Sequence, residues 1–270
     1  MPRVEIRRDA RRRPANPLAE YASSVRSQTG EDGVIRRVFD LIGTGSRYCV
    51  DVGAGDGELW SNSWALLVQQ GWSGLVVEAN PRLFERLRAR YAGRPEVAAL
   101  CRFMDGRGEG SLEAALEQAD APGEIDLLSI DIDGLDWYVW RSLGRFRARV
   151  VVIEFNPTVP NDVYFLQDQE PVNHGSSLLA MVELGREMGY ELAAVTGANA
   201  TFVAASRFPA LGLERNGPDD IFDPTGWETR IFQLYDGTLV TCGCDRLICK
   251  GLPLRSEDLQ ILPPPFRIFS

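Results

Sequence analysis

The stretch YCVDVGAGDG, residues 48–57, joins an apolar run to an acid and then to alternating glycines. The apolar run is rich in β-branched and aromatic residues, which predicts a strand of a parallel sheet covered on both faces. Gly53, Gly55 and Gly57 follow, and residues without a side chain allow a sharp turn and a close approach of the backbone to a ligand. A helix is predicted from about Ser61. The glycine loop therefore lies between a strand end and a helix N-terminus, where open α/β sheets bind nucleotides.

Two acids, Asp51 and Asp56, flank these glycines, and the spacing is G-A-G-D-G. Dinucleotide-binding folds prefer G-x-G-x-x-G, with the backbone close to a pyrophosphate. Two carboxylates would repel a diphosphate, whereas they suit a cofactor with a cationic ammonium and sulfonium, which is S-adenosylmethionine. Glu78 ends the next apolar strand, where a carboxylate can accept hydrogen bonds from both ribose hydroxyls. The alternatives are a generic nucleotide loop and a purely structural turn.

Residues after the loop and after the third strand complete the predicted cofactor site. Ser61 and Asn62 are candidate N-caps of a helix that Gly71 ends. Asp105 follows the strand VAALCRF, from where a carboxylate or a backbone amide could reach an adenine edge; a turn residue is the alternative. The predicted cofactor contacts are Asp51, Gly53, Gly55, Ser61, Asn62, Glu78 and Asp105.

Acids follow two further strands of the predicted sheet. Asp131 and Asp133 come after IDLLSI, and Glu154 and Asn156 end RVVVIEFN. The carboxyl ends of parallel strands meet at one edge of a sheet, so these side chains can converge. Asp131, Glu154 and Asn156 could hold Mg²⁺ or another hard cation, or one carboxylate could be a general base. The structural alternative is that the two aspartates cap the next helix and that Glu154 forms a core ion pair.

Residues 157–173 are punctuated by proline and have no clear period. An irregular insertion after a strand tip, above the predicted site, suggests a substrate lid. His174, the only histidine, closes this insertion, and Ser176 and Ser177 follow as caps of the next helix. Imidazole titrates where a hydroxyl proton must be moved, so His174 joins Asp131 as a candidate catalytic residue. A surface or structural role is the alternative for the histidine.

The composition limits the class of protein. The chain has 270 residues, 44% of them hydrophobic, and a formal net charge of −9. This allows one large core, and the negative charge argues against general binding to nucleic-acid phosphates.

The basic N-terminus lacks the apolar region of a secretory signal, and no apolar run is long enough to span a bilayer. Five cysteines fit a reducing cytoplasm. Cys242, Cys244 and Cys249 are interpreted as plain cysteines after a hairpin, and the alternative is a thiolate metal site with Cys101 or the histidine as fourth ligand.

The rest of the sequence predicts how the chain is divided. A helix after Ser27 would lie across the cofactor mouth, and YELAAVTG with ATFVAAS would form an antiparallel pair at the sheet edge. TRIFQLYDGTLVTCG predicts a β-hairpin that turns at Asp236-Gly237. We expect an N-terminal arm over residues 1–24, a catalytic domain over 25–206, and an appendage over 207–270 that packs on the core or on a second subunit.

These pieces together resemble the FkbM-type family of S-adenosylmethionine-dependent methyltransferases. The resemblance covers about residues 25–205 and is carried by SQTGED at 27–32, DVGAGDG at 51–57, SN at 61–62, GWSGLVVEANP at 71–81, DLLSIDIDG at 126–134 and VVIEFN at 151–156. It implies an α/β, Rossmann-like class I methyltransferase sheet with strand order 3-2-1-4-5-7-6, strand 7 antiparallel, and helices on both faces. It also implies that Asp51, Gly53, Gly55 and Glu78 bind the cofactor.

The sequence leads to one expected activity and two rivals. We expect in-line transfer of the methyl group from the sulfonium to a hydroxyl of a natural product or sugar, assisted by a metal ion or a general base. The expected partner is a small-molecule acceptor, with a homodimer as a further option and with neither nucleic acid nor membrane involved. The rivals are a nicotinamide-dependent oxidoreductase on the same fold and a non-catalytic methyltransferase-like partner protein.

Overall fold

A computed structural model of the chain describes Val4, Ile6 and residues 15–268. The arginine cluster between residues 3 and 13 of the predicted arm lies outside the described residues. In the rest of that arm, Pro17–Tyr21 forms a short 3-10 helix whose Leu18 is buried. The Asn16 amide donates a hydrogen bond of 2.7 Å to the carbonyl oxygen of Val195. This part of the chain therefore packs on the core of the domain.

A seven-stranded sheet forms the centre of the fold, in the order β3-β2-β1-β4-β5-β7-β6. Strand β7 is antiparallel to both of its neighbours, and the other adjacent strands are parallel. The strands are β1 (Tyr48–Val52), β2 (Ser73–Glu78), β3 (Val97–Cys101), β4 (Glu124–Ile130), β5 (Arg147–Glu154), β6 (Tyr190–Thr196) and β7 (Asn199–Ala204). This confirms the predicted strand order, including the antiparallel seventh strand.

Helices cover both faces of the sheet, and each face has its own core. Side chains alternate along a strand, so Cys49 of β1 belongs to one hydrophobic cluster and Val50 to the other. The cluster that contains Cys49 includes residues of α1 (Glu31–Ile42) and α2 (Pro81–Tyr91). The opposite cluster includes residues of α3 (Leu112–Gln118), α4 (Asp136–Arg141) and α5 (Leu178–Glu187). The apolar run of β1 is buried throughout because it lies between these two layers.

The helix predicted after the glycine loop is shorter than expected. A single wide turn of π type, Ala65–Gln69, replaces it, and the Gln70 amide bonds to the Ala65 carbonyl. Gly71 follows in the left-handed conformation, with φ of 65°. The residues before this turn are held by side-chain hydrogen bonds to β1, described below, and do not continue the helix.

The C-terminal part begins on the core and ends in small exposed sheets. Phe208 and Leu211 are buried in the cluster of α1, and a short helix α6 (Pro218–Ile221) brings Ile221 into the opposite cluster. The predicted hairpin is confirmed as β8 (Thr229–Gln233) and β9 (Leu239–Gly243), and β10 (Arg246–Leu247) pairs with β11 (Leu252–Pro253). No helix within the described part of the chain is long and apolar enough to cross a bilayer.

Candidate functional site

A cavity of about 520 Å³ opens at the carboxyl ends of β1, β2, β4 and β5. Ligand pockets in proteins commonly have volumes of about 300–1,000 Å³. Its wall contains most of the residues that the sequence singled out: Asp51, Gly53, Gly55, Ser61, Asn62, Glu78, Asp131, Asp133 and Glu154. The parallel strand order thus brings together acids that are up to about a hundred residues apart in the chain.

Glu78, the last residue of β2, connects the glycine loop to the start of α2. Its Oε2 atom accepts a hydrogen bond of 2.8 Å from the Gly55 amide, and its Oε1 atom accepts one of 2.6 Å from the Asn80 amide. Asn80 in turn caps α2 through the amides of Arg82 and Leu83. A carboxylate oxygen has two acceptor sites, so each oxygen can still accept a hydroxyl from the cavity.

The three glycines of the loop are required for different reasons, and all three have positive φ. A Cβ on Gly53 would collide with the carbonyl oxygen of Asp131, and one on Gly57 would lie 2.7 Å from a methyl carbon of Leu87. A Cβ on Gly55 would meet no atom within 4 Å. Packing therefore explains the first and third glycines, whereas Gly55 leaves free space in the wall of the cavity.

Asp51 is buried at the base of the cavity and holds the segment that follows the glycine loop. Its Oδ2 atom accepts hydrogen bonds from Ser63 Oγ at 2.6 Å and from Ser61 Oγ at 3.1 Å. Burial raises the pKa of the Asp51 carboxyl, and the bonds from Ser63 and Ser61 offset part of that rise. Asn62 lies between the two serines and donates to Ser129 Oγ of β4 at 3.1 Å. Ser61 and Asn62, which the sequence predicted as cofactor contacts, thus line the cavity. Their side chains also join the segment after the glycine loop to β1 and β4.

The acids at the start of α1 fix the segment before this helix. Three consecutive amides, from Val25 to Ser27, donate to Oδ2 of Asp32 at 2.7–2.8 Å. The buried Glu31 accepts from the Thr29 amide at 2.9 Å and from Thr196 Oγ1 of β6 at 2.9 Å. Gln28 lies within this fixed segment and contributes to the cavity wall.

Asp131, Glu154 and the buried Asp136 form an acidic group where β4 and β5 end. Burial first, and then the neighbouring carboxylates, raise the pKa of Asp131 to about 7 and that of Glu154 to about 10. Oδ1 of Asp136 accepts from the Ile132 amide and Oδ2 accepts from the Gly134 amide. Asp136 therefore shapes the turn that carries Asp131, and the group holds protons at a pH where isolated carboxyls are ionised.

Of the tentative metal site, Asp131 and Glu154 line the cavity, whereas Asn156 does not. The Asn156 amide donates to the His174 carbonyl at 2.8 Å, and its oxygen accepts from the Thr158 amide at 2.9 Å. Glu154 Oε2 accepts from the Asp133 amide at 3.1 Å. Within Val4, Ile6 and residues 15–268, no group of three or more histidine, cysteine, aspartate or glutamate side chains has an arrangement that could hold a metal ion.

The segment 157–173 reaches the wall of the cavity through Pro171, Val172 and Asn173. The buried Gln167 holds this segment: its Oε1 accepts from the amides of His174 and Gly175 at 2.9 and 2.8 Å, and its Nε2 donates to the Glu170 carbonyl. The side chain of His174 is exposed and does not belong to the lining of the cavity.

Asp105 also lies outside the cavity wall. Its Oδ1 accepts from the Arg107 amide at 2.9 Å, and its carbonyl accepts from Gln169, which is the pattern of the turn alternative. Arg102, Phe103 and Met104 line this end of the cavity in its place.

Several residues of the site were not found by the sequence analysis. Ser63, Asp136 and Gln167 act through hydrogen bonds to distant or backbone partners, which no sequence pattern marks. Trp60 lines the cavity with an exposed indole. Its position directly after the glycine loop could have identified it.

Solved structures give a comparison for the fold. A TehB-like SAM-dependent methyltransferase from Corynebacterium glutamicum is 16% identical, covers 69% of this chain and 92% of its own, with a TM-score of 0.35. The N-terminal domain of EvdMO1 with SAH bound is 14% identical over 66% of this chain and 80% of its own, with a TM-score of 0.43. A SAM-dependent methyltransferase from Aquifex aeolicus is 12% identical over 63% of this chain and 87% of its own, with a TM-score of 0.38. No protein-family model and no curated protein matches the chain.

The fold is that of the class I methyltransferases. The strand order of this chain identifies that fold. A dinucleotide-binding Rossmann sheet has the order 3-2-1-4-5-6, whereas here the antiparallel β7 is inserted between β5 and β6.

Proposed function

We propose that this chain is an S-adenosylmethionine-dependent methyltransferase. The observation that carries the proposal is the pairing of Glu78 with Gly55: an acid lies against a glycine whose missing side chain leaves free space in the cavity. The acids of the wall, Asp51 and Glu78 among them, suit a cofactor with positive charge. The antiparallel β7 counts against a nicotinamide-dependent oxidoreductase.

The residues present fit this cofactor. Glu78 would accept hydrogen bonds from the ribose hydroxyls. The free space beside Gly55 would admit the part of the cofactor that lies against the backbone of the glycine loop. Arg102, Phe103 and Met104 would border the base. S-adenosylmethionine supplies an electrophilic methyl group on a sulfonium. The protein then has to align the acceptor, exclude water and remove a proton.

We propose Asp131 as the group that takes the proton from an acceptor hydroxyl. A general base works best with a pKa near the operating pH, and the pKa of Asp131 is raised to about 7 by burial and by the acids around it. His174 is the second candidate, but its exposed side chain lies outside the cavity wall. The donor set does not fit a hard cation, since Oδ1 of Asn156, the atom that would bind it, already accepts from the amide and the hydroxyl of Thr158. No step is therefore assigned to magnesium.

The proposed acceptor is a small molecule with a hydroxyl group, such as a natural product or a sugar, methylated on oxygen. The charge of −9 supports a small-molecule acceptor over nucleic acid. The resemblance to the FkbM-type family supports oxygen as the atom that receives the methyl group.

Isothermal titration calorimetry with S-adenosylhomocysteine and with NAD tests the proposal. We expect binding of S-adenosylhomocysteine in the micromolar range or tighter and no measurable binding of NAD. Binding of NAD without S-adenosylhomocysteine would favour the oxidoreductase, and binding of neither would favour a non-catalytic partner protein.

A further inference from the structure

Trp60 combines two unusual properties at the mouth of the cavity. Its φ is 60°, in the left-handed region that bulky side chains rarely adopt. Its side chain is 61% exposed, and it is the only exposed tryptophan of the six in the chain, all of which are described. Left-handed conformations of bulky residues persist only where the surroundings impose them, and they cluster at functional sites.

The backbone on both sides of Trp60 is fixed. Oδ1 of Asp56 accepts from the amides of Glu58 and Leu59 at 3.0 Å each, which holds the turn before Trp60. Ser61 Oγ donates to Asp51 and accepts from the Trp64 amide, which holds the chain after it. The indole is therefore presented at the cavity by an anchored turn.

The indole itself is not engaged elsewhere. Within the described residues, no hydrogen bond, ring contact or cation contact involves the Trp60 side chain, whereas Trp64 stacks with Arg26. A large aromatic surface of this kind on a cavity wall is available to a ligand, and Trp is amphipathic and favours such contacts.

The mouth of the cavity offers an anionic ligand almost no cationic partner. Asp131, Asp133 and Glu154 line the same cavity, and Arg102 is the only cationic side chain in its described lining. The guanidinium of Arg102 is already paired with Gln118 and lies 3.6 Å from Glu109. A neutral ligand that exchanges hydroxyl hydrogen bonds with these carboxyl groups, protonated or ionised, and offers a flat apolar face fits this wall better than a carboxylate or phosphate.

We propose that Trp60 is an acceptor-binding residue, and that the ring it stacks against is an uncharged, hydroxylated pyranose. The apolar C–H groups on one face of such a ring contact the π face of the indole, while ring hydroxyls reach the acids of the wall. This proposal rests on the proposed methyltransferase function and adds the class of acceptor and the residue that selects it.

Simple glycosides provide the test on the protein saturated with S-adenosylhomocysteine. The probes are methyl β-D-glucopyranoside, methyl β-D-galactopyranoside and the anionic methyl β-D-glucuronide, measured by saturation-transfer NMR titration. We expect at least one neutral glycoside to bind, and the glucuronide to bind about tenfold more weakly or not at all. We expect Trp60→Ala and Trp60→Gly to weaken the neutral glycoside by about tenfold, the factor that 1.4 kcal/mol supplies, and Trp60→Phe to retain most of the affinity.

Two further measurements separate ligand binding from a structural role. Glycine adopts the left-handed conformation without strain. Trp60→Gly should therefore keep or raise the melting temperature and should keep the affinity for S-adenosylhomocysteine. Asp120→Gly is the matched control, because Asp120 has φ of 49° on an exposed turn away from the cavity; it should leave glycoside binding unchanged.

Unchanged glycoside binding in Trp60→Gly, or a fall in melting temperature together with lost cofactor binding, would overturn the role of Trp60. Failure of the wild type to bind any neutral glycoside would overturn the acceptor class, and failure to bind S-adenosylhomocysteine would instead refute the proposed function.

Discussion

The Oε2 atom of Glu78 lies 2.8 Å from the amide nitrogen of Gly55. This contact joins the end of one strand to the loop that follows its neighbour, and the second oxygen of Glu78 holds the start of α2. One side chain therefore positions the loop and presents a carboxylate to the cavity. The positioning of the loop and the binding of the cofactor can be tested separately.

The two glycines at the loop should respond differently to alanine. Gly53→Ala places a methyl group on the carbonyl oxygen of Asp131, so we expect a loss of at least about 2 kcal/mol in the free energy of unfolding. Gly55→Ala meets no protein atom and should cost only about 1–2 kcal/mol for its left-handed φ. Its affinity for S-adenosylhomocysteine should fall more than about tenfold. Thermal unfolding and calorimetry measure both; equal affinity of Gly55→Ala and wild type would contradict the cofactor assignment.

Glu78→Gln should weaken cofactor binding. Glutamine has one acceptor oxygen where glutamate has two, so one of the two backbone amides loses its partner and the ribose loses a charged acceptor. Hydrogen bonds to charged groups contribute about 1.5–3 kcal/mol, so the dissociation constant for S-adenosylhomocysteine should rise about tenfold to a hundredfold by calorimetry. Glu85→Gln is the control on α2, where the glutamate forms an exposed pair with Arg88. Equal affinities of Glu78→Gln and Glu85→Gln for S-adenosylhomocysteine would contradict the role of Glu78 in cofactor binding.

Glu154→Gln should stabilise the protein at alkaline pH. Burial, followed by repulsion from Asp131, raises the pKa of Glu154 to about 10 in the folded state. The folded protein then holds this proton more strongly than the unfolded chain, so the wild type loses stability as the pH rises from about 4.5 towards 10. Glutamine has no such proton. We expect its melting temperature to exceed that of the wild type by about 4 °C or more at pH 9, with the difference shrinking towards pH 4. A pH-independent difference would argue against the raised pKa.

Asp131→Asn should remove the pH dependence of methyl transfer. Proton removal needs the ionised carboxylate, so the wild-type rate should rise through about pH 7, where the raised pKa of Asp131 lies. The variant should be about a hundredfold slower or worse, with a flat profile. Transfer of labelled methyl to a neutral glycoside measures this. His174→Ala should keep the wild-type profile; if it alone abolishes the rise, the histidine is the base.

Gln167→Ala should loosen the lid without affecting the cofactor. It leaves the partly buried amides of His174 and Gly175 without their acceptor, at a cost below the about 1–3 kcal/mol of a fully buried donor. Hydrogen–deuterium exchange of the peptide that spans these residues should accelerate, while the affinity for S-adenosylhomocysteine stays constant. Gln169→Ala, which removes a contact to the Asp105 carbonyl, should accelerate it less. Unchanged exchange in Gln167→Ala would show that the lid is held by other contacts.

The sequence by itself determined the parts of this protein that depend on local pattern. The buried run ending at Val52, the loop at Gly53–Gly55 and the turn at Asp236-Gly237 follow from side-chain period and from the backbone freedom of glycine. The acid at Glu78 and the cap at Ser177 follow from their places at element ends, and Ser177 accepts from the Ala180 amide as a cap should.

Only the tertiary structure decided which of these residues meet. Asn62 reaches Ser129 and Glu31 reaches Thr196 across long separations in the chain, and no periodicity encodes such contacts. The structure also turned the side chains of Asn156 and Asp105 towards backbone partners and left the side chain of His174 exposed. The pKa of Asp131 likewise depends on burial and on acids of α4, of the turn after β4 and of β1, and burial is a property of the packed sheet.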